Sequence, residues 1–94
     1  MAAQLTQEAE FNEVMQMICD AARLKMKMNN HKGNITDITY ETAIGLAKEE
    51  MDEMWGKIIE EDFVGTVIEA GDVMNFLVSC VVNANRAYRN RNKK

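Results

Sequence analysis

The chain has 94 residues, a formal net charge of −4 and a hydrophobic fraction of 47%. This length predicts one domain with a core that is marginal on its own. The acidic balance excludes the basic surface typical of nucleic-acid-binding domains. Glu8 and Glu10 interrupt the start of the chain, which therefore does not resemble a signal peptide. Cys19 and Cys80 lie in apolar helical patterns, so we expect buried free thiols and a cytoplasmic location.

The spacing of apolar residues predicts long helices, because proline is absent and glycine is rare. A first helix is predicted from about residue 5 to about residue 29, and residues 29–37 are predicted to form a loop. A second helix is predicted at about 39–60, with either Asp37 or Thr39 as its N-cap.

A third helix is predicted from about residue 63 to about residue 88, and residues 89–94 are expected to fray. This helix is long and apolar enough to raise the question of a membrane span. Glu69 and Asp72 lie near its middle, however, where charged groups would be costly in a bilayer. We therefore predict an all-α fold, an antiparallel bundle of three to four helices, without a membrane partner.

Two pairs of acidic residues have the same spacing on neighbouring helices. Glu50 and Glu53 are three residues apart in the second helix and share one of its faces. Glu69 and Asp72 are three apart in the third helix, within an otherwise apolar stretch. An unpaired buried carboxylate is costly, so this second pair must be solvated, protonated or matched to a cation.

An antiparallel pair of helices would bring these acidic residues to similar levels. Glu53 precedes Asp62 by nine residues, and Glu69 follows it by seven. Four converging carboxylates would repel one another unless a divalent ion lay between them. Oxygen ligands favour Mg²⁺, or alternatively Mn²⁺, over Zn²⁺.

The order E-x-x-E, 15 residues, E-x-x-D resembles the signature of the all-α nucleoside triphosphate pyrophosphohydrolases. This superfamily includes MazG, the dimeric dUTPases and the dCTP pyrophosphatases. The stretches EEMDEM at 49–54 and EAGDVMNFL at 69–77 are similar to its two motifs. The loop HKG at 31–33 is similar to small, single-domain MazG-like proteins of phages. The resemblance covers roughly residues 31–83 and implies Mg²⁺-dependent hydrolysis of (deoxy)nucleoside triphosphates to nucleoside monophosphate and pyrophosphate.

The resemblance also implies roles for individual acids. Four of them correspond to ligands of the magnesium ion that holds the triphosphate and activates water: Glu50, Glu53, Glu69 and Asp72. Glu49 corresponds to a glutamate that orients or deprotonates the attacking water. A solvated surface charge is the alternative for Glu49.

Three further residues are candidate substrate contacts. Asn75 lies one turn beyond Asp72, where it could bind sugar or phosphate or instead bond to a neighbouring helix. Lys32 could neutralise phosphate charge from the loop, with simple solvation as its alternative. Arg86 could do the same from the third helix, although a cation near a helix C-terminus is also favourable by itself.

The high hydrophobic fraction of so short a chain indicates apolar faces that another subunit covers. We therefore predict a homodimer or homotetramer. Trp55 falls on the apolar face of the second helix, so we expect it in the core or at a subunit interface, with stacking on a nucleotide base as the alternative. Two alternatives to catalysis stay open: a catalytically weak nucleotide-binding regulator, and a helical protein-interaction module.

Overall fold

The computed structural model describes residues 2–28 and 38–92. Three helices make up this part of the chain: α1 Ala2–Met28, α2 Tyr40–Ile59 and α3 Phe63–Asn92. The all-α prediction is confirmed, and the helix bounds agree closely with those expected from the apolar spacing. The expected loop at 29–37 lies outside the described residues.

The C-terminal end of α3 differs from the prediction. The helix continues to Asn92 instead of fraying from residue 89. Its last turn carries Arg89 and Arg91, and positive charges are favourable at the negative end of the helix dipole. The Arg91 guanidinium also lies 5.2 Å from the centre of the Tyr88 ring, close enough for a cation–π contact.

Capping residues fix the start of α2 and the turn into α3. The Thr39 hydroxyl accepts the backbone N–H of Thr42 at 3.1 Å, so Thr39 is the N-cap. After α2, Glu61 adopts a left-handed conformation with a φ of 58°. Asp62 then accepts the N–H of Gly65 at 2.8 Å and caps α3. This short turn makes α2 and α3 an antiparallel hairpin.

Helix α3 packs against both other helices, whereas α1 and α2 scarcely contact each other. Asn75 of α3 donates a hydrogen bond to the carbonyl of Ala22, while the earlier residue Asp72 lies beside the later residue Lys25. Therefore α1 also runs antiparallel to α3.

Small residues form the contacts between the helices. The buried apolar residues of the described chain are Ala22, Ala43, Ala47 and Val67. Many larger apolar side chains remain exposed, including Trp55, which is 61% exposed and so does not lie in a core of the single chain. The helices are close together, but the apolar surface predicted from the sequence is largely uncovered.

By length and composition alone, α3 could cross a membrane, because an 18-residue window within Phe63–Arg91 has a mean hydropathy of 1.4. Core helices of soluble proteins satisfy the same criterion. Glu69 and Asp72 interrupt this segment at its contacts with α2 and α1. The expectation that α3 does not enter a bilayer stays a prediction.

Candidate metal centre

Three of the four predicted metal ligands converge between α2 and α3. Glu50 from α2, with Glu69 and Asp72 from α3, each place one carboxylate oxygen within 4.8 Å of the other two. All three side chains are half-buried. The antiparallel hairpin produces this cluster, because its short turn sets residue 50 opposite residues 69 and 72.

Two oxygens of the cluster are buried without a hydrogen-bond donor. Glu50 Oε2 and Glu69 Oε2 are both inaccessible to solvent, and no donor within residues 2–28 and 38–92 reaches either. A buried carboxylate oxygen in this state costs several kcal/mol unless it is neutralised. A proton or a cation must compensate, and a hard divalent cation matches oxygen ligands. The residues therefore fit a magnesium ion.

The electrostatics of the cluster favour protonation when no cation is bound. Burial, together with the adjoining carboxyl groups of Glu69 and Glu53, raises the pKa of Glu50 from 4.5 to about 8. Burial also raises the pKa of Asp72, and Lys25 opposes that increase. At neutral pH the cation-free cluster therefore holds a proton that a bound divalent ion would displace.

Glu53 and Glu49 lie at the edge of the cluster rather than within it. Glu53 is exposed, but its carboxyl group is near enough to Glu50 to contribute to the raised pKa of that residue. Its predicted role as a fourth metal ligand stays a prediction. Glu49 is also exposed, and its predicted catalytic role stays a prediction.

The three predicted substrate contacts have different positions. Asn75 is buried, and its amide nitrogen donates to the Ala22 carbonyl at 2.8 Å, which is the helix-to-helix bond given above as the alternative. Arg86 follows Asp72 by fourteen residues, about 21 Å along α3, so it lies far from the cluster of Glu50, Glu69 and Asp72 in the same chain. Lys32 lies outside the described residues. Their substrate roles stay predictions.

Sequence reasoning missed the contribution of α1. Lys25 places its ammonium nitrogen 3.9 Å from Asp72 Oδ2. The approach depends on Gly71, because a Cβ at that position would lie 2.9 Å from the backbone nitrogen of Ala22. A glycine inside a helical pattern and beside an acidic motif can indicate such a close approach, but it does not identify which helix approaches.

Comparison with known protein families, with curated proteins and with solved structures finds no match to this chain. Any function proposed for this chain therefore rests on the acidic motif and on the geometry of its side chains.

Proposed function

We propose that this chain is a Mg²⁺-dependent nucleoside triphosphate pyrophosphohydrolase of the MazG-like type. One observation carries the proposal: Glu50, Glu69 and Asp72 converge within 4.8 Å, and two of their oxygens are buried without a donor. Exposed acidic clusters are common without a metal, but buried oxygens that lack a hydrogen bond are rare. The choice of reaction rests on the resemblance of the E-x-x-E and E-x-x-D motifs to those of the all-α nucleoside triphosphate pyrophosphohydrolases.

The carboxylates of Glu50, Glu69 and Asp72 would hold the ion, and the exposed Glu53 would be a fourth ligand. A magnesium ion there supplies positive charge that binds the triphosphate and stabilises the charge developed during phosphoryl transfer. Because Mg²⁺ usually binds through few carboxylates and keeps its remaining positions for water and phosphate, an ion held by these acids would have positions left for a triphosphate.

The remaining chemistry requires a base that takes a proton from the attacking water and a leaving group that departs from phosphorus. Glu49 is exposed and directly precedes Glu50, and by the resemblance its carboxylate would take a proton from the attacking water. The water oxygen forms the new bond to phosphorus as the bond between the α and β phosphates breaks. Nucleoside monophosphate and pyrophosphate are the products.

A nucleotide panel tests this proposal. Purified protein with Mg²⁺ is incubated with canonical and modified NTPs and dNTPs, and pyrophosphate release is measured. Glu50→Gln and Asp72→Asn should each abolish release while far-ultraviolet circular dichroism stays unchanged. Asp52→Asn is the matched control, because Asp52 is an exposed acid of the same helix outside the cluster. Release that survives both cluster substitutions would contradict the proposal.

The same assay separates the two alternatives without catalysis. Nucleotide binding without pyrophosphate release would indicate a regulator. No release, together with a melting temperature that Mg²⁺ leaves unchanged, would indicate an interaction module. The exposed apolar side chains make that second alternative physically reasonable.

We also propose that the chain forms a homodimer or a dimer of dimers. The chain exposes 7295 Å², whereas a compact monomer of 10.7 kDa would expose about 5,500 Å². The excess of roughly 1,800 Å² per chain is of the size that stable subunit interfaces bury. A second copy is the occupant that this comparison favours.

Two groups among the exposed apolar residues are candidate subunit interfaces. The turn patch lies where α2 meets α3 and consists of Trp55, Ile58, Ile59, Phe63 and Val64. The α3 patch lies on the second half of α3 and contains Leu77, Val78, Val81 and Tyr88. Two open apolar cavities of about 300 and 490 Å³ adjoin the α3 patch. A mass of 10.7 kDa in solution across micromolar concentrations would contradict the oligomer.

A further inference from the structure

Lys25 is a cation that a separate helix brings to the acidic cluster. Its ammonium nitrogen lies 3.9 Å from Asp72 Oδ2, a distance that gives electrostatic attraction but exceeds a hydrogen bond. The Lys25 side chain is 39% exposed, whereas that of Asp72 is 17% exposed. The ammonium group therefore lies at the solvent side of the carboxylate with donors still available.

The position of Lys25 is fixed by close packing rather than by the ion pair. Gly71 allows the backbone of α1 to approach α3 at Ala22, and the buried Asn75 amide donates to the Ala22 carbonyl at 2.8 Å. Lys25 is three residues farther along α1, on the same face of that helix. Both contacts are made by residues that follow Glu69 in α3, so the acidic segment itself holds α1 in place.

We propose that Lys25 is a phosphate-binding residue of this site, an inference that rests on the proposed function. A divalent ion held by Asp72 would compete with the ammonium group for the same carboxylate. Lys25 would then donate to a non-bridging oxygen of the phosphate chain that the ion binds. A magnesium–triphosphate complex is still anionic, so it needs a further cation beside these carboxylates.

This role predicts opposite effects on metal and on phosphate binding. Calorimetry measures the binding of Mg²⁺ alone, and then of inorganic tripolyphosphate at saturating Mg²⁺, to the full chain. For Lys25→Met we expect Mg²⁺ to bind about two- to fivefold more tightly, because a competing positive charge is gone. Tripolyphosphate should bind about 10- to 100-fold more weakly, because a charge-assisted hydrogen bond is lost. Lys25→Arg should keep tripolyphosphate binding within about threefold of wild type.

Lys27→Met is the matched control, since Lys27 is an exposed lysine of the same last turn of α1. It should leave both affinities within about twofold of wild type, as removal of an exposed charge usually does. An equal loss for Lys27→Met and Lys25→Met would overturn the inference, because general electrostatic attraction would explain it. Parallel losses of Mg²⁺ and tripolyphosphate binding in Lys25→Met would overturn it in favour of a structural role.

The outcomes separate this inference from the proposed function. Lys25-dependent tripolyphosphate binding without hydrolysis of any nucleotide would support the phosphate-binding role of Lys25 and would contradict the proposed enzymatic activity. Hydrolysis by the wild type, with tripolyphosphate binding unchanged in Lys25→Met, would support the enzymatic activity and would contradict the phosphate-binding role of Lys25. Failure of the wild type to bind Mg²⁺ would overturn both.

Discussion

Without divalent ions, the protein should lose stability as the pH rises from about 4.5 to about 8. The folded state raises the pKa of Glu50 to about 8 from an ordinary value of 4.5, so in this range the folded chain retains a proton that the unfolded chain releases. The free energy of unfolding is therefore greatest below the ordinary pKa and declines until the folded carboxyl group ionises. The raised pKa of Asp72 acts in the same direction.

The size of the effect follows from the same interval. A pKa difference from 4.5 to about 8 corresponds to about 5 kcal/mol for a fully buried group. Glu50 is only half-buried, and solvent screening reduces the cost of its charge. We therefore expect a loss of about 2 kcal/mol between pH 5 and pH 8. Mg²⁺ at about 100 times its Kd should raise the free energy of unfolding by about 2.7 kcal/mol at pH 8.

Urea unfolding at several pH values, with EDTA or with Mg²⁺ and at one protein concentration, measures this difference. Glu50→Gln imitates the protonated side chain, so its stability should match wild type at pH 5 and exceed it by about 2 kcal/mol at pH 8 in EDTA. Mg²⁺ should stabilise Glu50→Gln far less. Asp52→Asn should follow wild type throughout. The reasoning fails if wild type and Glu50→Gln keep a constant difference from pH 5 to pH 8.

Three further predictions concern the contact between α1 and α3, the turn between α2 and α3, and the subunit interface. Gly71→Ala should cost about 1–3 kcal/mol in urea unfolding because the new methyl group meets the α1 backbone, whereas Gly45→Ala, whose Cβ meets nothing within 4 Å, should gain up to about 1 kcal/mol; equal effects would contradict the close approach. Glu61→Gly should stabilise the protein by about 0.5–1 kcal/mol, because glycine adopts the left-handed conformation of this residue without a steric cost. An unchanged or lower urea midpoint would argue against strain at that turn. Val81→Glu should convert the oligomer to a 10.7 kDa species in analytical ultracentrifugation while helical content is kept; an unaltered mass would exclude the α3 patch as the interface.

Local patterns in the sequence were sufficient to predict the hairpin that carries the acids. The three-residue spacing in each pair places its members on one helix face, and the short turn limits how α2 and α3 can be arranged. The convergence of Glu50 with Glu69 and Asp72 follows from those two facts. Thr39 was one of two proposed caps, and the structure selects it because its hydroxyl reaches the N–H of Thr42.

The position of α1 could not be predicted in the same way. Lys25 and Asp72 are separated by 47 residues, and no periodicity within one helix determines which face of another it meets. The contact depends on the absence of a side chain at Gly71 and on a side-chain-to-backbone bond from Asn75. Both residue types are compatible with many arrangements. The sequence also predicted an apolar face for Trp55, but it could not show that the single chain leaves this side chain exposed.

The dependence of α1 and α2 on α3 alone has a consequence for how the chain folds. The contacts between α2 and α3 join residues close in sequence. The chain therefore loses little entropy when it closes the short loop between these helices, and these contacts can form first. Attachment of α1 closes a much longer loop and should come later. Substitutions at the Gly71–Ala22 contact are therefore expected to accelerate unfolding more than they slow refolding, while substitutions in the hairpin turn do the opposite.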